Sequence, residues 1–279
     1  MLTKPGIILG NIITMLGGFT LASKGHLDFF LLLYTLLGLG LIIASAGVFN
    51  NYIDRFADAK MERTKDRPFA KGTISTVNGL LFGAVLGGLG VAVLAITTNL
   101  LTVFVACVGF LIYLVPYAFM KYHSFYGTLV GSLAGGVPPV VGYCAVSNNF
   151  DAGALLIFAI LVLWQMPHFF AIAIYRMEEY KAASIPVLPL EKGMLATKIQ
   201  ILLYIAIFLA TAALLPLMGM TGYLYAVVVA LLGAGWIGLT LKGFYIDTET
   251  DKRWAKEMFI YSLVVIIGLC LVIPFDVTA

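Results

Sequence analysis

Nine apolar runs, each close to 20 residues long and separated by polar connections, account for most of the 279-residue chain. They fall at about 5–22, 29–49, 76–97, 100–117, 126–146, 152–173, 197–216, 222–242 and 255–274. About 20 apolar residues are what a helix needs to cross the hydrocarbon layer. Within each run the apolar positions are continuous and do not alternate, which argues against a transmembrane barrel. The expected fold is therefore all-α: a polytopic membrane protein of nine transmembrane helices, read as one domain over 1–279. Composition agrees, with 61% hydrophobic and 11% charged residues against roughly 25% charged in a soluble domain. The first run carries only Lys4 ahead of it and no convincing cleavage site follows, so it is expected to be a retained helix.

Nine spans put alternate connections on opposite sides, and the cations sort accordingly. Sixteen of the 17 Lys and Arg residues fall on the side holding Lys4 and the 50–75, 118–125, 174–196 and 243–254 connections with their flanks; Lys24 stands alone opposite. The positive-inside rule then places the N-terminus and these loops in the cytoplasm, and the C-terminus outside. In a bacterium this is the cytoplasmic (inner) membrane. Cys107, Cys144 and Cys270 lie scattered in apolar runs and read as small packing residues. Nothing points to nucleic-acid binding.

The densest charge lies in FNNYIDRFADAKMERTKDRPFAKG, residues 49–72. Asn50, Asp54 and Asp58 recur every fourth residue, so on a helix each turns only about 40° from the last and the three share one face. Oxygen ligands at this spacing suit Mg²⁺, which takes one or two protein carboxylates and completes its shell with water and phosphate oxygens. Arg63, Lys65, Arg67 and Lys71 follow as candidate phosphate partners, and Pro68 and Gly72 can stop a helix and turn the chain. The plainer reading is a charged helix end anchored among lipid headgroups.

A second cluster spans 164–193, WQMPHFFAIAIYRMEEYKAASIPVLPLEKG. Gln165 and His168 flank Pro167, which together with Pro138 and Pro139 is expected to bend or open its helix. An imidazole at His168 can ligate haem iron, move a proton, or bond a carbonyl that Pro167 leaves unpaired. Arg176, Tyr180 and Lys181 are further candidate substrate contacts. Glu179 reads either as a metal or phosphate-water ligand or as a partner of Lys181. In the 117–128 loop Lys121 can reach phosphate, and His123 is a haem contact or an interfacial anchor.

A metal site, phosphate-binding cations and a bundle able to hold something greasy thus share one membrane face, a combination that fits a lipid diphosphate. Metal and cations would stabilise the departing diphosphate, and an apolar interior would keep water from the carbocation. Prenyl transfer is the favoured reaction class. A transporter is the rival from another class, but the charges lie at one face and not at mid-membrane.

The pattern NxxxDxxxDxxMxRTxxRP at 50–68 resembles that of the UbiA-type intramembrane prenyltransferases. LTKPGI at 2–7, YGTLVGSLAGGVPPVVGY at 126–143, WQMPHFFAIAIYR at 164–176 and IPVLP at 185–189 resemble, more closely, the haem-farnesylating branch of that family. The resemblance implies transfer of farnesyl from farnesyl diphosphate to a vinyl group of haem b, with addition of water, and Mg²⁺ as cofactor. It implies Asn50, Asp54 and Asp58 as the catalytic Mg²⁺-diphosphate motif, Arg63 and Arg67 as its cationic positions, and His168 as a haem contact. It also implies membrane lipid, terminal oxidase assembly or a haem A synthase as surroundings and partners. A UbiA-type transferase acting on an aromatic or quinone precursor is the alternative. Phe56 and Ala57 stand where relatives often carry DRDID, which would leave one carboxylate fewer at the site.

Overall fold

The computed structural model describes residues 2–247 and 249–278. Among them nine helices are long and apolar enough to cross a membrane: α1 Pro5–Ser23, α2 Phe29–Ile53, α3 Thr76–Thr97, α4 Leu100–His123, α5 Gly127–Ser147, α6 Ala152–Tyr175, α7 Leu188–Leu217, α8 Tyr223–Lys242 and α9 Asp251–Asp276. The protein is an all-α integral membrane protein, with only a single β-bridge, Thr221 to Val277, among the described residues. The helix starts follow their caps. Asp28, Ser75, Asn99 and Asp151 each accept a hydrogen bond from a first-turn backbone N–H of the helix that follows, satisfying a donor that has no partner within the helix.

Four helices run four or more residues past the hydropathy reading: α4 reaches His123, α9 starts at Asp251, and α2 and α7 are extended at the site. α2 continues past residue 49 to Ile53 and so carries Asn50 on regular helix. α7 begins at Leu188, inside the connection, and is kinked at Gly193, whose φ of 82° requires glycine. The prolines behave in three ways. Pro138 and Pro139 open the Val137–Ser147 half of α5 after a break at Gly136, where a missing N–H costs little. Pro167 leaves α6 continuous from Ala152 to Tyr175, so of the two expected outcomes, bending or opening, the helix is not opened. Pro116 shifts α4 into π-helical geometry over Tyr113–Tyr117, since the ring removes a regular i→i−4 bond.

Two apolar cores hold the bundle. The larger joins α5–α9 around Trp236, Trp254, Phe208 and Ile205. The smaller packs Met15 and Phe19 of α1, Leu39 and Ile42 of α2, Leu94 of α3, Ala106 of α4 and Val137 and Val141 of α5. Phe29, Ile96, Leu100 and Phe275 lie on the outer surface, at least 68% exposed, as apolar residues facing lipid do. α1 and α5 approach backbone to backbone. A Cβ on Gly18 would lie 1.9 Å from the Pro139 carbonyl oxygen, and one on Gly142 would lie 2.3 Å from that of Met15. Small residues at such crossings replace the missing hydrophobic drive between helices in lipid.

Gly18→Ala should therefore force α1 away from α5 and destabilise the protein by about 1–3 kcal/mol, the usual cost of overpacking. Gly40→Ala, with nothing within 4 Å of its added carbon, should not. Thermal unfolding in detergent compares the two, and equal melting temperatures would contradict the close crossing.

Candidate active site

α2 ends at Ile53, and Asp54 caps it with its N–H on the Asn50 carbonyl at 2.8 Å. A single turn, Arg55–Asp58, follows, and the Asp58 N–H reaches the Asp54 carbonyl at 2.8 Å. The four-residue step survives the break, so Asn50, Asp54 and Asp58 all face one cavity, as their spacing predicts. They are 1–2% exposed. Thr64 then bonds the Asp58 carbonyl at 3.1 Å, folding the chain back so that Arg67 meets both Asp58 oxygens at 2.8 and 2.9 Å. Pro68 opens a further turn that Gly72 ends at φ 70°.

Each acid has its own cation. Lys121 Nζ lies 2.7 Å from one Asp54 oxygen and the Tyr122 hydroxyl 2.6 Å from the other. Burial pushes the Asp54 carboxyl up, but Lys121, Lys4 and the Tyr122 hydrogen bond together hold it below the usual carboxylate range. Lys4 donates to Asn50 Oδ1 from a left-handed backbone at φ 51°. Burial lowers its ammonium to about 7, with the attraction of Asp54 opposing. The segment before α1 is held there by Asn51, which donates to the Leu2 carbonyl at 2.7 Å. The Asn50 Nδ2 donor is buried without a partner.

These groups close one end of a cavity of about 550 Å³, within the range of small-molecule sites. Arg63, Arg67, Lys121, Arg176 and Tyr180 also line it, and burial raises the Tyr180 phenol. Four cations and the partly protonated Lys4 against two carboxylates give the wall an excess of positive charge. Deeper in, the wall becomes mostly apolar along α2, α4 and α5, with Asn11 on α1, Tyr113 and Tyr117 on α4 and Gln165 on α6 adding polar groups. The Gln165 amide donates to the Leu161 and Ser132 carbonyls at 3.1 and 3.4 Å.

Six of the residues singled out in the sequence lie elsewhere, among them Lys71, which is exposed and pairs with Asp66. Lys65 is exposed and pairs with Glu62, and Lys181 is exposed. Glu179 is neither on the cavity wall nor a partner of Lys181: it binds Arg176 and lies 3.7 Å from Arg63, joining the 2–3 and 6–7 connections. His168 bonds Ser262 Oγ at 2.7 Å and no carbonyl; it stacks on Trp164 at 4.7 Å and packs against Phe259 at 5.1 Å. Phe169 and Phe259 line the cavity in its place. His123 stacks on Phe119 at the surface. Phe56 is 71% exposed, while Ala57 packs with Met61, Ala173 and Ile185, so neither departure from DRDID faces the cavity. Sequence reasoning missed Tyr113 and Tyr117, stacked at 5.2 Å on the cavity wall. Pro116 between them was the available signal. It also gave Lys4 no role at the site.

The profile of the UbiA prenyltransferase family matches residues 11–263. The chain belongs to the UbiA prenyltransferase family. It is 52% identical over 276 residues to a protoheme IX farnesyltransferase of Protochlamydia amoebophila, covering 99% of this chain and 97% of that one. It is 50% identical to the protein of the same name from Serratia proteamaculans, covering 99% and 93%. A UbiA homologue from Archaeoglobus fulgidus, solved with GPP and Mg²⁺, superposes with a TM-score of 0.71 at 16% identity, covering 95% of this chain and 98% of that one. A structure of digeranylgeranylglyceryl phosphate synthase superposes at 0.77 with 18% identity, covering 97% and 94%. The UbiA bundle is thus reproduced at low identity.

The Asp58–Arg67 pair gives a direct test. Arg67→Leu leaves a buried carboxylate without its partner and should destabilise the protein by about 3–5 kcal/mol, while Lys65→Leu should leave the melting temperature unchanged. Melting of the metal-free protein in detergent separates them, and identical curves would show that Asp58 is not held by Arg67.

Proposed function

We propose that the chain transfers a farnesyl group from farnesyl diphosphate to a vinyl group of haem b, with addition of water, giving haem o. The observation that carries this reading is the 52% identity, over nearly the whole chain, to a protoheme IX farnesyltransferase. A buried carboxylate pair ringed by cations at the mouth of an apolar cavity supports it. The whole chain then acts as one prenyl-transfer domain, in a bacterial cytoplasmic membrane with the cation-rich end and N-terminus inside.

The donor set fits Mg²⁺: two buried carboxylates and an amide oxygen, all hard ligands, with room left for water and phosphate. Asp54 and Asp58 would hold the ion. When bound, it neutralises charge on the diphosphate leaving group. Lys4, Lys121, Arg67, Arg63 and Arg176 bind the diphosphate oxygens, and the spare Asn50 Nδ2 donor adds one more bond. Lys121 and Arg67, now paired with Asp54 and Asp58, would take phosphate partners instead, leaving the two acids to hold the ion. The C1–O bond breaks with its electron pair leaving on the diphosphate. The terminal vinyl carbon bonds C1, and the cation formed beside the porphyrin ring is quenched by water, whose proton passes to solvent.

His168 is assigned a positioning role, tying α6 to α9 through Ser262 and backing Phe259, with no direct hold on haem. The aromatic walls Phe169, Tyr175 and Phe259 offer flat apolar contact to the porphyrin.

Asp54→Asn and Asp58→Asn should each lower turnover by about 100-fold or more, the scale of losing one electrostatic stabiliser of a developing charge. Retained haem-free folding would show that the loss is chemical. Near-normal turnover in both would remove the metal assignment. The activity itself is read by mass spectrometry of haems extracted after incubating lipid-reconstituted protein with haem b, farnesyl diphosphate and Mg²⁺. A product heavier by one farnesyl group plus water, abolished by EDTA, is expected. Unaltered haem alongside alkylation of an aromatic acceptor would overturn the haem reading.

A further inference from the structure

The geometry points to Leu39, Ala106 and Val137 as the floor that limits the prenyl chain to three isoprene units. This inference rests on the proposed prenyl transfer. α2 lines the cavity at Asn50, Ala46, Ile43, Ile42 and Leu39, one turn after another, and then stops. At about 1.5 Å per residue, the eleven positions from Asn50 to Leu39 span roughly 16 Å. α6 gives the same measure independently, since its side of the cavity runs from Arg176 to Gln165, again eleven positions.

An extended farnesyl chain has eleven bonds of about 1.5 Å between its main-chain carbons, which with zig-zag shortening reach roughly 14 Å. Each isoprene unit therefore matches about one helical turn of 5.4 Å. With the diphosphate held at Asn50, Asp54 and Asp58, the third unit ends at Leu39.

The far end is closed by packing. Leu39, Ala106 and Val137 are 3%, 2% and 7% exposed and belong to the core formed with Leu94, Met15 and Phe19. Gly109, one turn nearer the mouth, has no room for a side chain, because a Cβ there would lie 2.7 Å from Val137 Cγ1. α4 is thereby pressed onto α5 at the floor. A fourth unit would have to displace these side chains.

Lipid-reconstituted protein is given haem b, Mg²⁺ and equal amounts of geranyl, farnesyl and geranylgeranyl diphosphate, and the haem products are weighed. Wild type should give mainly the farnesyl product. Ala106→Leu should lower the farnesyl-to-geranyl product ratio at least tenfold while still transferring geranyl. Leu39→Ala should raise the geranylgeranyl share at least fivefold. Wild-type ratios in both variants would overturn the inference. If Ala106→Leu makes no product, Leu39→Ala decides alone by the same criterion. If wild type alkylates haem with none of the three, the proposed function fails. Binding of the three diphosphates then reads the floor on its own: the same shifts in relative affinity support it, and unchanged affinities overturn it.

Discussion

Two carboxylates buried side by side at the cavity wall constrain everything else at this end of the bundle. Asp54 and Asp58 are almost wholly buried, and an uncompensated buried charge costs several kcal/mol. The chain answers from three directions. α4 delivers Lys121, the turn after Asp58 returns Arg67, and Lys4 from ahead of α1 joins the same cluster through Asn50. These contacts join segments far apart in sequence and define the mouth of the cavity. The compensating groups are also what an anionic substrate requires, so under the proposed function stability without ligand and affinity for diphosphate would depend on the same side chains.

That dual use explains why the acids are paired so tightly before any substrate arrives. A cation bonded to a carboxylate at 2.7 Å is already desolvated and oriented, so under the proposed function its exchange onto phosphate would need little reorganisation of the side chain. Glu179 does the same for Arg63 and Arg176 at the opposite lip. It is a counter-ion for two arginines of the cavity wall, a role that its charge alone did not reveal.

The bundle and the acidic face were legible in sequence because both are local. Hydropathy over 20 residues marks a span, and a step of four marks a helix face. The face outlived even the break at Asp54, because the backbone bonds from Asp58 to Asp54 and from Asp54 to Asn50 keep the helical step. What escaped depends on contacts between distant segments. Nothing local to His168 shows that Ser262, 94 residues on, takes its ring nitrogen. Nothing local to Lys4 shows that it reaches Asn50. Lys65 and Arg67 look alike in a charged run, yet only one lies where the returning chain meets Asp58.

Proline gave the opposite lesson, since its local effect is well defined and its outcome here is not uniform. Pro139 removes an N–H at a helix start, where none is needed. Pro167 removes one mid-helix, and α6 continues, held by a buried face that includes Trp164, Phe170 and Ile174. Pro116 is accommodated by widening α4, and the π segment it sits in carries Tyr113 and Tyr117 to the cavity wall. Such distortions are frequent at functional sites because they re-aim side chains that a regular helix would turn elsewhere. In α4 the re-aimed pair lies between the charged mouth and the apolar depth. There, the stacked phenol rings supply both an apolar body and a polar hydroxyl to the wall.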